Sequence, residues 1–105
     1  MLPMLVDTGA DATLVPAQIV RQLGLPPVDV VAVSGVDGLK QRATVHLASV
    51  EVGELRVSAR IIAYADEAIL GRDVLNRGIV TLDGPGLTIS VQPAARKRRR
   101  SRAAR

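Results

Sequence analysis

The sequence predicts an all-β domain, folded as a closed or partly open barrel with one or two short helices. Three features point there. Hydrophobic residues make up 48% of the 105 positions, but Phe and Trp are absent and Tyr64 is the only aromatic, so Val, Leu, Ile and Ala must form the core. Side chains with this much β-branching favour sheet. Seven or eight short apolar runs follow one another along the chain, separated by Gly, Pro and Asp, which is the spacing of strands joined by tight turns. Helical spacing is confined to two short stretches and no repeat is present, which speaks against a βαβ sheet.

From the start of the chain, Leu2 to Val6 is an apolar strand that delivers Asp7 to a turn, and Ala12 to Val15 is a second short run. Pro16 at the first helical position, Ile19, Val20 and Leu23 on one face, and Gly24 followed by Pro26 and Pro27 predict a helix of about two turns. The period then switches to two. Val28, Val30 and Ala32 lead to a hairpin tip at Gly35-Val36-Asp37-Gly38, where glycine supplies the positive φ that tight turns need. Ala43, Val45 and Leu47 alternate with Arg42, Thr44 and His46, which puts His46 on the polar, solvent side. The apolar phase shifts at Val50 and Val52, predicting a bulge near Ala48-Ser49. Leu55, Val57, Ala59 and Ile61, alternating with Arg56, Ser58 and Arg60, form the clearest strand. Ala68-Ile69-Leu70 is a short strand ending at Gly71, and Asp73 to Asn76 forms one or two helical turns closed by Gly78. Two last strands, Ile79 to Leu82 and Leu87 to Val91, flank a turn at Asp83-Gly84-Pro85-Gly86.

The net charge of +4 is a property of one end of the chain. Arg96, Lys97, Arg98, Arg99, Arg100, Arg102 and Arg105 are seven of the 14 basic side chains, and no acid lies among them. Residues 1–95 therefore carry seven basic against ten acidic groups, a net −3. The expected organisation is one folded domain at 1–92 and a disordered basic tail at 93–105. Residues 96–105 either contact nucleic acid or an anionic surface through salt-dependent attraction or form a solvated extension with no function.

Composition excludes several classes. Without aromatics no base-stacking platform can be assembled for single-stranded nucleic acid. Without Cys there is no disulfide framework or thiolate site, and one His cannot build a His-rich zinc centre, so no metal or other cofactor is expected. A Cys-free chain suits the reducing cytoplasm, which is the expected location. No apolar run approaches the roughly 20 residues that span a bilayer, and no signal-peptide pattern opens the chain, so no transmembrane segment is expected.

The residues with most chemical content are Asp7-Thr8-Gly9-Ala10-Asp11. A carboxylate at the end of an apolar strand is held against the core, where ionisation is costly unless partners surround it. Thr8 brings a hydroxyl, and Gly9 leaves room for a backbone or substrate to come close. Taken alone, the pattern more often describes an Asp that caps a turn than a catalytic one. Leu5-Val6-Asp7-Thr8-Gly9-Ala10-Asp11 resembles the active-site signature of retropepsin-type aspartic proteases, the family of the retroviral proteases and their cellular and bacterial relatives. Further on, Val33-Ser34-Gly35-Val36-Asp37-Gly38 resembles the family's glycine-tipped flap. Ile69-Leu70-Gly71-Arg72-Asp73-Val74-Leu75 resembles its hydrophobic-hydrophobic-Gly strand with the short helix that follows. The three elements stand in family order, and the likeness runs from residue 2 to about residue 91.

The resemblance implies a homodimeric aspartic endopeptidase acting on peptide or protein substrates. Two carboxylates within hydrogen-bond reach cannot both ionise, so the pair holds one proton. The ionised oxygen takes a proton from water while the protonated partner donates to the peptide carbonyl. One chain offers only Asp7 in this motif, so the second carboxylate would be Asp7 of another copy. By the same resemblance Thr8 would lock the two active-site loops together, Gly9 would lie beside the substrate backbone, and Ala10 completes the supporting motif. Asp11 and Arg72 would form an ion pair that braces the loop. Gly35, Val36, Asp37 and Gly38 would form the flap tip, with Asp37 also readable as a plain turn-former. Small aliphatic side chains at Val33, Val36 and Ile69 would line the pockets and favour apolar residues beside the scissile bond. Retropepsin-like domains usually carry one or more strands before the one that ends in the catalytic Asp, and only six residues precede Asp7 here, so the resemblance implies one of two things: the domain at 1–92 lacks its first strand and the natural protein starts upstream, or the dimer interface is built differently, from Leu87 to Val91. Two other functions stay open: a catalytically silent retropepsin-like domain used for dimerisation or peptide binding, and a nucleic-acid-associated protein acting through its basic tail.

Overall fold

A computed structural model of the chain describes residues 2–34, 38–64, 66 and 68–94. Gly35, Val36 and Asp37 of the expected flap tip and the basic run at 96–105 lie outside these. Strands dominate: β1 (Leu5–Val6), β2 (Thr13–Val15), β3 (Pro27–Ser34), β4 (Lys40–Val52), β5 (Leu55–Ala63), β6 (Ile69–Leu70), β7 (Gly78–Asp83) and β8 (Thr88–Pro93). Two short helices, α1 (Ala17–Leu23) and α2 (Arg72–Leu75), interrupt them.

Six strands form one sheet in the order β1-β6-β2-β5-β4-β3, and β7 pairs only with β8. Among the described residues the sheet does not close into a barrel. β1 and β3 are its open edges, while the β7–β8 hairpin meets the larger sheet through the Glu54 N–H bonded to the Val91 carbonyl at 3.1 Å and through Val91 in the core. The physical reason lies in β1, which has two residues and not the expected five, too few to carry a ladder round to the hairpin. Pro3 has no amide hydrogen to extend it, and Leu2 and Met4 pack their side chains on the core.

The sheet's long part follows its alternation. Leu55, Ala59 and Ile61 of β5 are buried and Arg56, Ser58 and Arg60 are exposed. β5 runs against β4 in unbroken register from Thr44↔Ala63 to Val52↔Leu55, so the bulge expected at Ala48-Ser49 is absent. The irregularity sits instead in β3, between Pro27 and Asp29, opposite His46 and Val45. There the buried side of β4 changes: Val45 and His46 are both inside, and Leu47 is exposed. His46 is therefore a core residue and not a surface one. Its Nδ1 lies 2.9 Å from the Leu25 carbonyl oxygen and its Nε2 2.8 Å from Thr44 Oγ1. A carbonyl can only accept, so Nδ1 carries the hydrogen, and with both nitrogens bonded the ring can sit in the core.

The apolar side chains gather in two clusters, one around Leu55, Leu70, Val74, Leu75 and Val91, the other around Val15, Val20 and Ile61. α1 lays Val20 into the second and ends at Gly24 in the left-handed region, with Pro16 at its N-cap. α2 buries Val74 and Leu75 in the first. Asn76, which keeps a helical φ of −72°, ends that helix; Gly78 is already the first residue of β7 and not the cap expected of it. On the solvent side, Arg60 pairs with Asp29 at 2.8 Å and Arg56 with Glu51 at 2.9 Å. The Val30 N–H, followed by the Arg60 guanidinium, holds the Asp29 carboxyl below the ordinary carboxylate range. Among the described residues no helix is long and apolar enough to cross a membrane.

Candidate active site

β6 lies between β1 and β2, parallel to the first and antiparallel to the second. Residues 7–12 must therefore loop around the end of β6, and backbone bonds fasten the loop on both sides of it. The Leu5 N–H donates to the Ala68 carbonyl at 2.8 Å, the Asp7 N–H to the Leu70 carbonyl at 3.0 Å, and the Arg72 N–H to the Ala10 carbonyl at 2.8 Å. Within the loop, the Ala10 N–H reaches the Asp7 carbonyl at 3.1 Å and the Gly9 N–H reaches Asp7 Oδ1 at 2.9 Å. The second of these is the local bond by which Asp shapes a turn.

Asp7 is half-buried, with Thr8 and Gly9 exposed beside it. Its carboxylate is less deep than a strand ending in the core would place it, because β1 is an edge strand whose Leu5 is exposed. Among the described residues Oδ1 takes the Gly9 N–H, and Oδ2 has neither a donor nor an ion pair. Arg72 Nη2 bonds Asp11 Oδ1, which joins the loop to the start of α2. Ala10, half-buried, contributes backbone only: its N–H closes the turn and its carbonyl holds Arg72.

Gly71 is fixed by a close approach. A Cβ there would lie 2.4 Å from the Ala12 carbonyl oxygen and 3.1 Å from that of Ala10. Only a residue without a side chain lets β6 run this near the Asp7 loop.

Beneath the loop sits a buried polar group that sequence reasoning missed. Thr13 is 0% exposed. Its hydroxyl donates to Asp73 Oδ1 at 2.7 Å and accepts the Gly71 N–H at 3.0 Å. Asp73 also takes the Thr13 N–H at 3.3 Å through Oδ2 and the Val74 N–H at 2.8 Å through Oδ1. One hydroxyl and one carboxylate thus tie β2, β6 and α2 together. The available signal was a lone Thr at the head of an apolar run with an Asp in the first turn of a later helix.

The two supports differ in solvent exposure. Side chains of Asp11 and Arg72 are 84% and 49% exposed, and pairs this wet contribute about 0–1 kcal/mol. Thr13→Val would strand the Gly71 N–H and one acceptor of Asp73, a loss of about 1–3 kcal/mol. Urea unfolding of Thr13→Val and Arg72→Ala is expected to rank them in that order, with only the Arg72→Ala difference shrinking in salt. Equal losses would mean that the wet ion pair bears as much of the fold as the buried hydroxyl.

Two cavities lie nearby. One of about 440 Å³ is lined by Ala12, Val31, Val45, Ile62 and Asp73 among others. The other, of about 730 Å³, lies between Leu2, Met4, Ile19 and Val50. Neither is lined by Asp7, Val33 or Ile69. Gly38, with a φ of +80°, is the one residue of the expected flap tip that is described. Among the described residues no group of three or more His, Cys, Asp or Glu side chains is placed to hold a metal ion.

The family model described as gag-polyprotein putative aspartyl protease matches residues 1–77, a span that takes in the Asp7 loop, Gly71, Arg72 and α2. No curated protein and no solved structure matches the chain. With most of its length matched, the chain belongs to the family of gag-polyprotein putative aspartyl proteases.

Proposed function

We propose that the chain is one subunit of a homodimeric aspartic endopeptidase, hydrolysing peptide bonds with a water activated between two copies of Asp7. The observation that carries this is the presentation of Asp7. A turn fastened on both sides by backbone bonds holds the carboxylate at the surface, with Oδ2 free of donors among the described residues. An isolated carboxylate can serve as a base but cannot at the same moment offer a proton to the substrate carbonyl. Two such groups facing each other share one proton and do both. A two-fold axis beside the turn brings that pair together, with exposed Thr8 and Gly9 nearest the axis and the substrate. By the resemblance to the family's flap, the segment that links β3 to β4 would cover the substrate, and the Asp11–Arg72 pair and the Thr13–Asp73 group keep the turn from drifting.

Digestion of a mixed peptide library by the purified protein, followed across pH with and without pepstatin, tests this. Cleavage with a bell-shaped profile centred below neutral pH, blocked by the inhibitor, is the expected result. Binding of peptides without cleavage at any pH would replace the enzyme with a silent peptide-binding dimer.

A further inference from the structure

The cavity of about 440 Å³ reaches the end of the Asp7 loop at Ala12. Its floor is apolar. Val45 and Ile62 are cross-strand partners of β4 and β5 and share one face of the sheet, and Val31 of β3 lines the cavity beside them. Stepping back by two along β5 from Ile62 puts Arg60 and then Ser58 on that same face, and both line the cavity. Arg77, two residues past the end of α2, lines it as well, and its Nη1 reaches the Ser58 carbonyl at 3.5 Å. Ser58 and Arg60 are about 7 Å apart along the strand, so two guanidinium groups border one apolar trough. The polar capacity left over there is donor capacity. Asp73, the one acid of the lining, already accepts the Thr13 hydroxyl, the Thr13 N–H and the Val74 N–H. Arg60 is held by Asp29 at 2.8 Å. Arg77 has no ion pair among the described residues, and its contact to the carbonyl is too long to use much of it. A guanidinium carries five N–H donors in a planar fork that matches a carboxylate.

We propose that this cavity receives an acidic side chain of the peptide substrate, with Arg77 as the residue that selects it and Arg60 beside it; the inference rests on the endopeptidase reading above. Position supports it. The Ala10 N–H bond to the Asp7 carbonyl closes a turn, which holds the ends of residues 7–10 within about 7 Å of each other, and two further residues add at most about 7 Å. Ala12 therefore lies no more than about 14 Å from Asp7, a length that an extended peptide covers in about four residues. A substrate held at Asp7 can thus place a side chain in the cavity from within about four positions of the bond to be cut. Chemistry supports it as well. A Glu side chain brings two methylenes for the floor of Val31, Val45 and Ile62 and a carboxylate for the Arg77 fork. A Lys or Arg side chain would meet two like charges, and Asp73, the acid it would need, is already engaged by three donors. Because Asp29 offsets Arg60, the deciding charge is that of Arg77.

Cleavage of a mixed peptide library by the full chain, read by mass spectrometry, is expected to show Glu or Asp enriched at one position within four residues of the cut. On a matched pair of peptides that differ only there, Glu is expected to exceed Gln by about fivefold or more in kcat/KM, chiefly through KM, with the ratio shrinking as salt rises. Arg77→Gln should remove most of that ratio, and Arg77→Glu should turn the preference toward Lys. Arg56→Gln should leave it as in the wild type, since Arg56 is an exposed β5 residue that pairs with Glu51 and lines neither cavity. Retention of the same library on the immobilised Asp7→Asn chain gives a reading that needs no catalysis. Cleavage without an acidic preference, or with one indifferent to Arg77→Gln and Arg77→Glu, would overturn the acidic site and leave the endopeptidase standing. Acidic peptides retained through Arg77, with no cleavage by the wild type, would keep the site for a bound peptide and overturn the endopeptidase. Neither cleavage nor retention would overturn both.

Discussion

Asp7→Asn is expected to lower peptide cleavage by at least about 10³-fold, within the range that general acid–base catalysis supplies, while the protein stays folded and dimeric. The amide keeps the shape of the carboxylate, and its oxygen can still accept the Gly9 N–H that holds the turn at 2.9 Å. What disappears is the shared proton, because an amide can neither take one from water nor give one to the substrate. The shared site makes a second readout available. If each centre needs one Asp7 from each copy, mixing equal amounts of wild-type and Asp7→Asn chains leaves only about a quarter of the dimers intact, so activity drops below the half expected of independent subunits. Activity of one half in that mixture, or substantial cleavage by the pure variant, would end the two-carboxylate mechanism. The pH profile should carry two limbs that belong to the pair and not to either Asp7 singly.

Local alternation made much of the sheet legible. β5 was plain because Leu55, Ala59 and Ile61 are buried while Arg56 and Arg60 are not, and α1 was plain because Gly24 closes it in the left-handed region. What failed depends on which strand lies beside which. The phase change in β4 looked like a bulge in β4 itself, but β4 keeps unbroken register with β5 and the extra residue lies in the neighbouring β3, which no reading of β4 alone contains. His46 fell on the polar side of an alternating run, yet hydrogen bonds to the Leu25 carbonyl and with the Thr44 hydroxyl let it enter the core. Closure into a barrel was inferred from the number of strands, and the two-residue β1 does not permit it. At the candidate site the contiguous motif at residues 7–11 was visible because its residues are adjacent in sequence. Thr13 and Asp73 are 60 positions apart and carry no pattern of their own. The insertion of β6 between β1 and β2 alone brings them together.

That insertion makes Gly71→Ala the substitution expected to damage the fold most. The added methyl would stand 2.4 Å from the Ala12 carbonyl oxygen and 2.6 Å from its carbon, and neither can yield as a flexible side chain would. The Gly71 N–H is tied to Thr13 Oγ1 at 3.0 Å, the next N–H in the chain to the Ala10 carbonyl at 2.8 Å, and Asp7 to Leu70 at 3.0 Å. Relief requires β6 and the Asp7 loop to part, which breaks these bonds together. Overpacking commonly costs about 1–3 kcal/mol, and against backbone held on both sides the upper end, about 3 kcal/mol, is expected. Such a loss is a large share of a domain stability of about 5–15 kcal/mol. Gly84→Ala is the control: nothing lies within 4 Å of its Cβ position, so it should stay within about 0.5 kcal/mol of the wild type. Cleavage should suffer beyond the lost stability, since a shift of about 1 Å in a catalytic group can cost 10²-fold in rate. Urea unfolding of both variants, with activity measured where each is still folded, separates the two effects. If Gly71→Ala matched Gly84→Ala in stability, β6 would not run against the Asp7 loop as closely as the backbone bonds require, and the support assigned to Gly71 would fall with it.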